Sequence, residues 1–224
     1  MKFAFATATL VGLLNSVVGV EIRSPMRPES PPFLFKDENG DAAGLIKDIT
    51  DALSEGSDLN FTFVDDQNAL DLGYTGALSL LAPDGEYDAI LWDYYPQSYR
   101  AKLATFSDAW AQSIVATLKL KTSASNTVQE AVDAGETVCT VGATAQSAAL
   151  PTVYDSIQLL ECDALATCIE ELKAGNCSLY TGDLLALAVL ASEDDSLELV
   201  NEKALPDHFY VSFVSVSVAV FESC

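Results

Sequence analysis

The sequence has little positive charge and almost no histidine. Lysine and arginine number 11 against 33 acidic residues, a formal charge of −22, and His208 is the single imidazole. Such a surface repels phosphate backbones and anionic lipid, which argues against nucleic-acid binding and polybasic membrane docking. One histidine argues against multi-histidine metal sites and against a nucleophile activated by an imidazole base. No CxxC is present, so neither zinc nor any other cofactor is implied. No repeat of fixed period and no low-complexity tract is visible. Beyond the N-terminus no segment reaches the ~18 apolar residues of a membrane-spanning helix, so stable membrane insertion is not expected.

What is present is a foldable chain. Of 224 residues 50% are apolar and 20% are charged, enough for one large domain or two small lobes with packed cores. Met1-Lys2 is a short cationic start, and Phe3 to Val20 is mostly apolar, centred on Leu10, Val11, Leu13 and Leu14. Val17 and Gly19 stand at the −3 and −1 positions of a cleavage site. Residues 1–19 therefore read as a secretory signal peptide, with a soluble mature chain outside the cytosol. A membrane anchor is the other reading; Asn15, Ser16 and the Thr and Gly interruptions weigh against it.

The cysteines suit that compartment. Cys139, Cys162, Cys168 and Cys177 cluster, and Cys224 is the last residue. Four clustered cysteines in a secreted chain suggest two disulfides, with three connectivities open; buried free thiols are the alternative. Asn60-Phe61-Thr62 and Asn176-Cys177-Ser178 match the N-glycosylation sequon.

Strand and helix signals alternate after a Pro-rich stretch at Pro25, Pro28, Pro31 and Pro32. Phe33 to Phe35 reads as a strand, and Asp37 to Asp41 as a turn. Leu45, Ile46, Ile49, Ala52 and Leu53 recur at helical spacing, with Gly56 as a stop. Phe61 and Val64 mark a second strand. Ala77, Leu78, Leu80 and Leu81 predict a helix closed by Pro83-Asp84-Gly85, and Asp88 to Trp92 a buried strand. Ser113 to Lys121 is extended. A second run follows: a helix over Thr127–Ala134 capped by Asn126 with Gln129, then a strand at Thr137–Val141 and a helix near Ala145–Leu150. A strand at Ile157–Glu161, a helix at Ala164–Lys173, a strand at Ser178–Thr181, a helix at Leu184–Ala191 and a strand at Leu197–Val200 complete it. Phe209 to Phe221 reads as one long strand or two short ones. Two α/β runs joined by extended crossings imply two lobes and a hinge.

Several segments fall in a familiar order. Pro32-Phe33-Leu34-Phe35 leads into Asp37-Glu38-Asn39-Gly40 and Gly44-Leu45-Ile46-Lys47-Asp48. Tyr87-Asp88-Ala89-Ile90, Tyr99-Arg100 and Phe106-Ser107-Asp108 follow, then Val138 to Thr144 and Ile169 to Asp183. Over roughly Pro31 to Val214 the chain resembles the family 3 bacterial extracellular solute-binding proteins and the ligand-binding domain of ionotropic glutamate receptors. That resemblance implies an α/β clamshell of the periplasmic-binding-protein type II class, each lobe a sheet flanked by helices. Lobe 1 would be 24–112 plus 213–224 and lobe 2 would be 117–205, with hinge strands near 113–116 and 209–212.

The resemblance also implies a site. Arg100 stands where the family's amino-acid binders fork a guanidinium onto the ligand carboxylate. Thr144 matches a lobe-2 threonine at a helix start, with Ala143 where the family usually has glycine. Asp183 matches the acid that receives an α-amino group, and Phe33 an aromatic pocket wall. The family often has Thr or Ser five and three residues before the arginine; here Tyr95 and Gln97 stand there, with Asp93 seven before it. Tyr95 would offer its hydroxyl, and Asp93 with Asp183 would suit a more cationic ligand. Within the same frame Cys139 pairs with Cys177 and Cys162 with Cys168, leaving Cys224 over.

The expected function is binding of an amino acid or related carboxylate in the inter-lobe cleft, with closure about the hinge. A membrane transporter or receptor is the natural partner. Two other readings stay open: a receptor-like or partner-dependent module without ligand affinity, and an enzyme of the dehydratase type on the same fold.

Overall fold

The computed structural model describes residues 19–81, 85–200, 203–205 and 209–215. The signal-like segment 1–18, the Pro83-Asp84 half of the turn, His208, the stretch 216–221 and Cys224 lie outside the described residues.

The first lobe is built on β1 (Val20–Pro25), β2 (Glu29–Ser30), β3 (Leu34–Lys36), β4 (Ala42–Ala43), α1 (Leu45–Gly56), β5 (Leu59–Val64), α2 (Gln67–Ala77), β6 (Ala89–Tyr94), β7 (Thr105–Phe106) and β8 (Ala111–Ser113). β14 (Phe209–Ser215) returns to it. β1 and β5 pair in parallel, and β14 lies antiparallel between β6 and β7. β6 runs beside β1 without a regular ladder. Ser24 Oγ accepts from Leu91 N at 2.9 Å, and Pro25 O accepts from the Trp92 indole N–H at 2.9 Å. Side chains thus replace ladder bonds next to Pro25, which has no N–H to give. The core centres on Ile22, Phe33, Ile46, Ile90, Trp92 and Tyr94, all buried.

The second lobe holds β9 (Val115–Leu120), α3 (Val128–Ala134), β10 (Thr137–Val141), α4 (Ala145–Val153), β11 (Gln158–Cys162), α5 (Leu165–Ala174), β12 (Leu179–Asp183), α6 (Leu184–Glu193) and β13 (Leu197–Val200). Its five-stranded sheet has the order β11-β10-β12-β9-β13. Side chains alternate across it, as the two-residue period of a strand requires. Val115, Val138 and Leu179 enter one core with Val128 and Leu150. Ala116, Cys139 and Tyr180 enter the other with Cys168, Leu172 and Leu187. Cys139 is bonded to Cys177 across 38 residues and Cys162 to Cys168 across 6.

The chain crosses between lobes from β8 to β9 and again into β14. β8 pairs antiparallel with β14, Phe209 opposite Ser113 and Val211 opposite Ala111. The crossings are therefore adjacent strands.

Two local expectations are corrected. The helix predicted over Ala77–Leu81 is instead a 3-10 turn, Leu78–Leu80, at the end of α2. That helix starts earlier because the Asp66 carboxylate accepts from Asn68 N and caps it. The cap of α3 is Thr127, not Asn126: Thr127 Oγ1 accepts from Glu130 N at 3.0 Å, and the Glu130 carboxylate accepts from Asn126 N at 2.7 Å. The capping box is shifted by one residue. The structure also adds β1, a strand that the Pro-rich reading of this region passes over.

Candidate functional site

A cavity of about 960 Å3 lies between the lobes. Arg27, Phe33, Tyr74 and Asp93 line it from the first lobe, and Thr140, Thr144, Asp163, Tyr180, Thr181 and Asp183 from the second. The volume lies within the range of ligand pockets in proteins, about 300–1,000 Å3.

Phe33 is held by the start of α1. Leu45 N donates to Pro32 O at 3.0 Å and Ile46 N to Phe33 O at 2.9 Å. Gly44 between them has φ +106°, and a Cβ there would stand 2.7 Å from Phe33 O. Only glycine tolerates both conditions. Phe33 is 1% exposed, so it serves as core and as wall together.

Asp93 sits at the end of β6, half-buried. Tyr74 donates its phenol to Asp93 Oδ1 at 2.9 Å. Burial pushes the Asp93 carboxyl up to about 6, with the nearby Arg27 charge and the Tyr74 bond opposing the rise. Arg27 lies over the Tyr74 ring, 4.1 Å from its centroid, and 5.2 Å from that of Trp92. Such cation–π contacts fix a guanidinium in place.

Across the cavity, Thr144 caps α4. Its Oγ1 accepts from Ser147 N at 3.1 Å and donates to Val141 O at 2.8 Å. Ala143 before it has φ 55°, in the region that favours glycine. Asp183 caps α6 through Leu185 N at 2.9 Å. Its other oxygen accepts from Tyr95 Oη and from Ser113 Oγ. Burial, then the Asp183 charge, raises the Tyr95 phenol far above its ordinary value, so it stays protonated and donates. Thr181 is fully buried on the wall, and its hydroxyl has no hydrogen-bond partner among the described residues.

Of the residues the resemblance points to, Phe33, Asp93, Thr144 and Asp183 are brought to the cavity. Tyr95 and Arg100 are not on its wall. Tyr95 is 6% exposed and packs with Ala145 and Val211 in a small cluster between the lobes. Arg100 is 2% exposed. Its Nη1 donates to Tyr95 O at 3.2 Å, its Nη2 to Ala143 O at 3.4 Å and its Nε to Thr75 Oγ1 at 3.4 Å. The guanidinium expected to fork onto a ligand thus spans the lobes and meets backbone carbonyls. Sequence reasoning passes over Arg27, Tyr74 and Thr181. Arg27 hides in the Pro-rich stretch, although an arginine there is notable in a chain with 11 cationic residues.

The chain has a two-lobed α/β fold of the periplasmic-binding-protein type II kind, with a cavity between the lobes. Solved structures agree. The holo form of ArgBP from T. maritima superposes with TM-score 0.74 at 19% identity, over 90% of this chain and 86% of its own. A solute receptor for L-cysteine of Neisseria gonorrhoeae gives 0.72 at 22% identity, over 92% and 80%. An ancestral amino acid-binding protein, described as a precursor of cyclohexadienyl dehydratase, gives 0.75 at 18%, over 90% and 85%. No protein-family model and no curated protein matches the sequence.

Proposed function

We propose that this chain is a secreted binding protein for a small polar solute, an amino acid or related carboxylate. The solute is held between lobe 1 (24–112 plus 213–224) and lobe 2 (117–205). Capture is by closure about the strands near 113–116 and 209–212. The observation that carries this reading is the inter-lobe cavity, whose walls set Asp93 of one lobe against Thr144 and Asp183 of the other. Acids on both sides suit an ammonium, and hydroxyls such as Thr181 suit polar substituents. The similar structures are described with arginine, cysteine and glutamine.

Secretion is supported by the N-terminal pattern and the disulfides; no described helix is long and apolar enough to cross a membrane. A membrane transporter or receptor that reads the closed form is the fitting partner. The role is binding without turnover. A dehydratase-type activity would show itself as product formed from a cleft-bound cyclic acid.

The test is a thermal shift of the oxidised protein against the amino acids, small amines and small carboxylates. At about 100 times its Kd a ligand adds about 2.7 kcal/mol of stability. A selective rise in Tm that is lost in Asp183→Asn is the expected result. Asparagine still caps α6, and the unliganded Tm of the variant reads what is lost with the acceptor for Tyr95 and Ser113. A second reading, a partner-dependent module without ligand affinity, draws on Tyr95–Asp183 and Arg100–Ala143, which close the lobes with protein groups alone. No shift across the panel from a well-folded protein would favour it.

A further inference from the structure

We propose that Tyr74, Trp92 and Asp93 form a cation site that the chain fills from within, with the guanidinium of Arg27 as its resident occupant. Tyr74 and Trp92 meet edge-on at 89°, with centroids 5.8 Å apart, and so make a corner of two rings. The guanidinium carbon of Arg27 lies 4.1 Å from the Tyr74 centroid and 5.2 Å from that of Trp92, within cation–π reach of both. Tyr74 is fixed in turn, its phenol donating to Asp93 Oδ1 at 2.9 Å. Asp93 gives the corner its negative charge. The Arg27 charge favours the ionised form of that carboxyl and opposes the rise that burial causes. Arg27 and Asp93 share one wall because they are cation and acid of one site. Two rings and a carboxylate would equally receive a guanidinium that is not part of the chain.

Arg27, Tyr74 and Asp93 all line the cavity, so removing the guanidinium opens the corner to it. The consequence for selectivity rests on the binding reading above. In the first lobe the place of a cation is taken. A solute ammonium is left to Asp163 and Asp183, which line the cavity from the second lobe. A second cation on the solute would have to displace Arg27 or lie beside it against like charge. The cleft therefore prefers an amino acid with an uncharged side chain to its cationic isostere.

The experiment has two arms. Melting of the oxidised wild type, Arg27→Ala and Arg27→Ala/Asp93→Asn is recorded with methylguanidinium and with methylurea, its uncharged isostere. Arg27→Ala should melt below the wild type and be raised by methylguanidinium but not by methylurea. The wild type and the double variant should be raised by neither. If Arg27→Ala folds too poorly to melt, its refolding yield in the two additives gives the same comparison. Equal effects of the two additives on Arg27→Ala would overturn the inference, as would an equal methylguanidinium rise in the wild type or the double variant. The second arm is calorimetric titration with L-arginine and L-citrulline. Citrulline should bind the wild type more tightly, and Arg27→Ala should shift the preference toward arginine by roughly tenfold, the worth of one recovered cation–π and ion-pair contact. An unchanged preference would overturn the role of Arg27 in selectivity. If the wild type binds no amino acid of the panel above, the binding reading fails, while the melting arm still decides the cation site.

Discussion

The two lobes fill their cores by different means. The first contains both tryptophans, Trp92 and Trp110, with Tyr74, Tyr94 and Phe106 packed around them. Trp92 and Tyr94 stack at 6.1 Å, Tyr74 meets Trp92 edge-on at 5.8 Å, and Trp110 stacks on Phe213 at 5.3 Å. It has no cysteine among its described residues. The second lobe has no tryptophan, and all four of its cysteines are cross-linked. Aromatic packing stabilises the folded state directly. A cross-link acts mainly by restricting the unfolded chain. The lobes should therefore answer to different perturbations, and tryptophan fluorescence reports chiefly the first lobe, with Trp110 also against the inter-lobe cluster of Tyr95, Ala145 and Val211.

The largest effect separates them by reduction. Losing the Cys139–Cys177 bond frees a closure over 38 residues, which costs about 4 kcal/mol in the chain-entropy account. Cys162–Cys168, spanning 6 residues, contributes about 2 kcal/mol on the same basis. Urea unfolding of Cys139→Ala/Cys177→Ala should show the far-UV signal of the second lobe melting first, with tryptophan fluorescence following later. Coincident transitions would mean that the lobes form one cooperative unit and that the contrast is one of composition only.

The next effect belongs to the first lobe and runs on pH. Asp93, facing Tyr74, Arg27 and Asp183, has its carboxyl raised to about 6 against 3.8 in an open chain. The folded chain then binds more protons than the unfolded one between about pH 4 and pH 6. Stability must fall as pH rises through that window, by about 3 kcal/mol at most. Asp93→Asn removes the term, so it should be more stable than the wild type at pH 8 and about equal at pH 4. A wild type whose Asp93 dependence has the opposite slope would place the charge of Arg27 above burial as the controlling influence.

Much of the fold was legible because the alternation is strong. Leu165, Cys168, Ile169 and Leu172 announce the buried face of α5, and Thr137–Val141 is a strand in sequence and in structure alike. α2 was legible only in its last turn, since its cap is Asp66 and Gly73 breaks its regular pattern at φ +62°. β1 was hidden because Pro25 closes a strand whose ladder is completed by a serine side chain. Of the candidate site, the positions on the cavity wall were legible at Phe33, Asp93, Thr144 and Asp183. What Tyr95 and Arg100 touch was not, because their partners lie in the other lobe, at positions 183 and 143. Local patterns carry no record of such pairings.

Tyr95 makes the bridge between the contrasting halves testable. Its phenol holds the Asp183 carboxylate, and hydrogen bonds to charged groups contribute about 1.5–3 kcal/mol. Ser113 donates to the same oxygen, so Asp183 is not left bare in Tyr95→Phe. A loss of about 1.5 kcal/mol is expected, together with a widening gap between the fluorescence and far-UV transitions. Loss of stability with no change in that gap would make Tyr95 a core residue and not an inter-lobe tie.

The smallest effect should sharpen the contrast by stabilising the second lobe alone. Ala143 stands at φ 55°, just before the α4 cap, where an L side chain is strained. Its carbonyl accepts from Arg100 Nη2, and that contact helps to hold it there. Ala143→Gly removes the Cβ conflict, about 1–2 kcal/mol, but also loosens the unfolded chain, an opposing and smaller term of about 0.4–1 kcal/mol. The net gain is therefore about 0.5 kcal/mol, read as a rise in the far-UV midpoint with the fluorescence midpoint unmoved. If both midpoints rise together, the strain is held jointly by the two lobes through Arg100. If the far-UV midpoint falls, the alanine conformation costs less than the entropy that glycine brings.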